Sequence, residues 1–118
     1  MAIVSITNTK LKFNEAGTLP AAVAVDASAG AKIDFTEKED ARIFIILENA
    51  ATSAKTATVK AGGGIQGVND LAVSLAASAK TAIVLESGPY IQTEGDNKGC
   101  VVIMGEDANV KVAAVELP

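Results

Sequence analysis

The chain has 118 residues, no histidine, no tryptophan, one cysteine and a formal net charge of −4, with an isoelectric point near 4.7. That length gives about one domain, and the acidic balance gives no clustered Lys/Arg footprint for nucleic acid. The absence of histidine removes the usual general base behind a serine or cysteine nucleophile and the commonest transition-metal ligand.

In chain order, Ile3, Val4 and Ile6 begin a strand, Leu11 and Phe13 continue its apolar pattern, and Asn14–Gly17 breaks it. Residues 1–20 are therefore expected to form an N-terminal arm or edge strand, and residues 21–118 a single domain. Ala21–Asp26 alternates weakly as a second short strand, a small-residue loop follows, and Ile33 and Phe35 open a third. Arg42–Leu47 is apolar on both alternating faces, too short for most helices and rich in β-branched residues, so it predicts a central strand. Thr56–Lys60 alternates cleanly, with Ala57, Val59 and Ala61 on one face and Thr56, Thr58 and Lys60 on the other. Leu71–Leu75 and Thr81–Leu85 suggest a hairpin; the competing assignment is a helix capped at Asn69. A short segment at Tyr90–Gln92 precedes Cys100–Met104 and Val110–Leu117, separated by the turn-rich runs 94–99 and 105–109.

About eight strands with turn signals every ten residues or so predict an all-β fold, a β-sandwich or jelly-roll-like barrel. No stretch reaches the ~18 apolar residues of a membrane span, and residues 1–5 show no basic leader, so the expectation is a chain that meets no membrane and carries no address. Cys100, within a strand-like run, is expected to be a buried thiol, which fits a reducing compartment.

Gly62–Gly64 invites a phosphate-loop assignment but lacks the following Lys-Ser or Lys-Thr, so a tight bend is expected. The acidic loops 94–99 and 106–109 carry hard oxygen ligands but not EF-hand spacing, and read as solvated turns. Asp26, Asp34, Glu48, Glu86 and Glu116 fall at strand ends or solvent faces without forming a pair for acid–base work. Lys80 and Lys98 lie in expected loops. The expectation is a non-enzymatic protein with no catalytic, metal or cofactor site. Tyr90, beside Pro89, is the one aromatic expected at the surface, too few for a sugar-stacking row. Leu11 and Phe13 lie outside the densest core pattern. These three are the candidate partner-binding residues, with an edge strand and a loop anchor as the bland alternatives.

From Ala41 onward, the segments ARIFIILENAATSAKTATVKAGGGIQGVNDLAVSL and LESGPYIQTEGDNKGCVVIMGEDANVKVAAVELP, about two-thirds of the chain, resemble the small virion structural proteins of tailed bacteriophages that decorate the head. The resemblance lies in glycine-bounded strands and a closing Glu-Leu-Pro. It implies a β-sandwich, a homo-oligomer such as a trimer, the major capsid protein or another virion protein as partner, and a place in the virion after assembly in the host cytoplasm. It transfers no individual binding residue. A tail component, or a stand-alone bacterial β-sandwich of adhesin-like or polysaccharide-binding type, is the alternative.

Overall fold

The computed structural model describes residues 3–36, 42–62, 69–86 and 88–118. Among the described residues, ten strands run in order β1 (Val4–Ile6), β2 (Asn8–Lys10), β3 (Val23–Ala24), β4 (Ala31–Asp34), β5 (Ile43–Asn49), β6 (Lys55–Val59), β7 (Leu71–Leu75), β8 (Lys80–Ile83), β9 (Cys100–Gly105) and β10 (Val110–Glu116). They form two separate five-stranded sheets, so the fold is an all-β sandwich. The first sheet is ordered β1-β4-β9-β6-β7; the second is β2-β10-β5-β8, with β3 also paired to β10. The radius of gyration, 13.7 Å, matches the roughly 13.5 Å expected of one compact unit of this length.

The strongest sequence run became β5, whose Ile43, Ile45 and Leu47 point into the core while Phe44, Ile46 and Glu48 point out. It lies between β10 and β8, paired with β10 over all seven of its residues. From the other sheet, Ile33, Val59, Leu75, Val101 and Ile103 complete an aliphatic core in which each is 0% exposed. Period-two alternation puts one set of side chains from each sheet into this layer.

The expected hairpin at 71–85 does not form. Strand β7 pairs with β6 in the first sheet, whereas β8 pairs with β5 in the second, so the chain arches from one sheet to the other. Leu75 at the end of β7 and Leu85 just past β8 are both buried. Ser78 takes a φ of 59° in the arch, and its N–H donates to the Ala51 carbonyl at 3.1 Å.

The N-terminal run, expected as one strand, is split at Thr7. Strand β1 lies parallel to β4, with Ser5 opposite Lys32, and β2 lies parallel to β10, with Thr9 opposite Val115. Residues 4–10 thus sit on an outer edge of each sheet in turn. Leu11 extends this pairing by donating its N–H to the Glu116 carbonyl at 2.8 Å, and Phe13 falls in the turn beyond.

Candidate interaction face

The second sheet buries an apolar inner side, and its outward side carries apolar rows beside a charged one. Cross-strand register fixes its rows. Lys80, Glu48 and Lys111 stand abreast on β8, β5 and β10; Ala82, Ile46 and Ala113 form the next row; Phe44 and Val115 the next. Continuing the alternation, Val84 lies beyond the end of β8 and is 63% exposed, and Leu117 follows β10 with its side chain partly exposed.

Part of this face is covered by the chain itself. Ala113 and Val115 point outward yet are 2% and 0% exposed, and the segment 11–22 links the end of β2 to the start of β3 along the same edge of β10. Leu19, Pro20, Ala21 and Ala22 of that strap, together with Ile46, Glu48, Lys80 and Lys111, line an open groove of about 340 Å³. Leu19 is 63% exposed at its rim, and Val23 is also exposed. Polar strand faces normally meet water, so an outward face of Phe, Ile, Val and Ala with Leu19 and Val84 uncovered is the kind of patch that marks an interaction site.

The three residues singled out by sequence are not brought together. Phe13, 77% exposed, is carried at the turn of the strap. Leu11 is half-buried and, with Lys10, Lys12, Glu15, Ala16 and Gly17, lines a smaller recess of about 190 Å³. Tyr90 lies in a turn beside the first sheet: it is partly buried against the core, and its neighbour Ile91 bridges Val101 of β9. The segment is pinned on both sides, since Gly62 N–H donates to the Pro89 carbonyl at 2.8 Å and Gln92 N–H to the Cys100 carbonyl at 2.9 Å. A Cβ on Gly62 would run into the Ile91 carbonyl, so glycine there permits close backbone approach. Gly63 and Gly64 lie outside the described residues.

The face residues that sequence analysis did not single out are Leu19, Val23, Ile46 and Val84. A signal existed for Ile46, because Arg42–Leu47 is apolar on both faces. None existed for the strap, whose position depends on long-range pairing.

Charged groups are engaged in local structure. Lys55 Nζ lies 2.9 Å from Asp107 Oδ2 and 3.9 Å from Glu106 Oε2. Its hydrogen bond to Asp107 and the charge attraction hold Lys55 above its ordinary range and, with the Asn109 N–H, hold Asp107 below its own. Asp70 is lowered by the Ala61 N–H and by Lys60, whose Nζ is 2.7 Å away. Asp26 is lowered by the N–H groups of Ala29 and Ser28 in a tight turn. Burial pushes the Cys100 thiol up, with Asp34 adding to the shift. Among the described residues, no group of three His, Cys, Asp or Glu side chains is placed to hold a metal ion, and no helix is long and apolar enough to cross a membrane.

Compared with protein-family models, curated proteins and solved structures, the chain has no match.

Proposed function

We propose that this chain is a non-enzymatic virion structural protein that coats or stabilises an assembled bacteriophage head. In this proposal its partner is the major capsid protein or another virion protein, and it docks through the outward face of the second sheet. The observation that carries the reading is that face: Phe44 and Ile46 on β5 and Val84 just past β8, beside a strap that leaves Leu19 exposed. A coat protein needs a stiff platform with an apolar patch and a small footprint repeated many times.

Magnitudes support a multivalent role over a solitary one. Full coverage of a Leu or Val side chain contributes about 1.5–3 kcal/mol, whereas association costs roughly 4–15 kcal/mol in lost freedom. A handful of such side chains therefore binds weakly in a single copy, and linkage among copies on a lattice lifts occupancy. The resemblance of residues 41–118 to head-decoration proteins points the same way. In this reading the protein is an oligomer located in the virion.

Mass spectrometry of purified particles from the source phage or induced prophage tests the proposal. Hundreds of copies, in fixed ratio to the major capsid protein, are expected. A few copies would move the protein to the tail or a vertex. Absence from clean particles would overturn the reading in favour of a stand-alone bacterial binding module.

A further inference from the structure

We propose that the N-terminal arm, residues 3–11, is exchangeable between copies: the same β1 and β2 contacts form in trans, on the edges of a second copy's sheets. This goes beyond the head-coating role and does not depend on it.

Position in the fold makes the arm separable. Strands β1 and β2 occupy outer edges, on β4 and β10 respectively, so their departure leaves every other strand pairing intact. Each is held by three register pairs, and both are parallel, the less stable kind of pairing per residue. The arm's anchor is Ile6, 7% exposed, supported by half-buried Val4. Those two side chains and a short ladder on each edge constitute a docking site of defined chemistry, and the segment that fits it is already part of this chain.

The linker has far more length than its own closure requires. Leu11 meets Glu116, and Val23 is opposite Val112 on the same edge of β10. That interval is about 13 Å at 3.3–3.4 Å per residue. Residues 12–22 extend to about 36 Å, close to the 38 Å longest dimension of the molecule. Residues 12–19 are all exposed, so releasing them breaks little packing. An arm on this tether reaches the equivalent edges of an adjacent copy. Exchange is favoured where copies are crowded, as closely spaced copies have a high effective concentration.

Register-specific crosslinking of the purified chain tests this. In a Cys100→Ala background, chains carrying Ser5→Cys are mixed at high concentration with differently tagged chains carrying Lys32→Cys, and oxidised. Exchange gives a covalent pair bearing both tags on a denaturing gel, at several-fold higher yield than a mixture of Ser5→Cys with Thr52→Cys, a position outside the β1–β4 register. Equal yields, or no pair, would overturn the proposal. Deleting residues 12–19 supplies the second measurement: three linker residues span the 13 Å interval poorly, so a dimer by light scattering is expected. A monomer whose arm is protease-sensitive would count against exchange. Neither result depends on phage particles, so failure here is distinct from failure of the head-coating reading.

Discussion

The Asn49 side-chain amide donates to the Leu75 carbonyl at 3.2 Å, joining the end of β5 to the end of β7 in the opposite sheet. The same nitrogen reaches the carbonyls of Ser53 at 2.9 Å and Ala76 at 3.1 Å, while Asn49 Oδ1 accepts the Ala51 N–H at 2.9 Å. Asn49 is 0% exposed, so these contacts are made out of water, where losing them leaves buried carbonyls unsatisfied. Asn49→Ala is expected to destabilise the fold by about 2–4 kcal/mol, read as a lower urea midpoint at unchanged slope. A loss below about 0.5 kcal/mol would show that the corner is held by backbone pairing alone.

Gly30 has a φ of 81°, and a Cβ there would lie 2.5 Å from the Ile103 carbonyl oxygen and 2.6 Å from Met104 Sδ. Met104 can swing away; the β9 backbone cannot without disturbing its pairing with β4. Gly30→Ala is therefore expected to cost about 1–3 kcal/mol, seen as a clear drop in melting temperature. Gly95 has a comparable φ of 77° but open space around it, so Gly95→Ala should cost about 1 kcal/mol, leaving Gly30 the more sensitive site.

The pH dependence of stability follows from the lowered carboxylates. Asp26, Asp70 and Asp107 all have folded values below the ordinary 3.8. Their contribution is fully present above 3.8 and is lost as pH falls through the lower folded values. Lys55 is raised above 10.5, so its contribution holds below that and is lost as pH rises through the folded value. A plateau from about pH 5 to 9 with loss on the acid side is expected. Asp107→Asn removes one carboxylate from the acid limb and breaks the Lys55 pair, so its stability difference from the parent should shrink as pH is lowered toward 2 in urea titrations. A difference independent of pH would contradict the assignment.

Local pattern carried the strands and little of their connectivity. The β-branched runs at 43–47, 100–104 and 110–117 mark β5, β9 and β10: β5 alternates in burial, whereas β9 and β10 are buried on both faces and show as short continuous apolar runs. The arch at 76–79 resembles a hairpin turn in sequence, since both put alternating segments on either side of small residues. What separates them is which sheet each strand joins, and Asn49, 26 residues before Leu75, helps fix that. The break at Thr7 has no glycine or proline to announce it; parallel partners at Lys32 and Val115 create it. The interaction face was half visible, because Phe44 and Ile46 are anomalous on a solvent-facing row, but its extent depends on a strap whose path only the fold reveals. An aromatic beside proline reads as a surface residue in sequence, whereas Tyr90 is partly buried against the core in a segment held by backbone hydrogen bonds on both sides.

Leu19 and Val84 separate the stability of this protein from its surface behaviour. Both side chains are 63% exposed, so Leu19→Ser with Val84→Lys removes little buried area and should change unfolding stability by no more than about 0.5 kcal/mol per site. The apolar face between them is interrupted, however, and a lysine added near Phe44 must be desolvated by anything that docks there. Binding of an apolar dye is expected to fall, and under the proposed head-coating role adsorption to the head particle falls at least tenfold. A double variant that still coats particles normally would place the docking surface elsewhere, with the exposed Phe13 turn the next to alter. Core truncation gives the contrast: Leu47→Ala, at a fully buried position, should cost about 2–5 kcal/mol and reduce coating only through loss of folded protein, a defect that lowering the temperature restores.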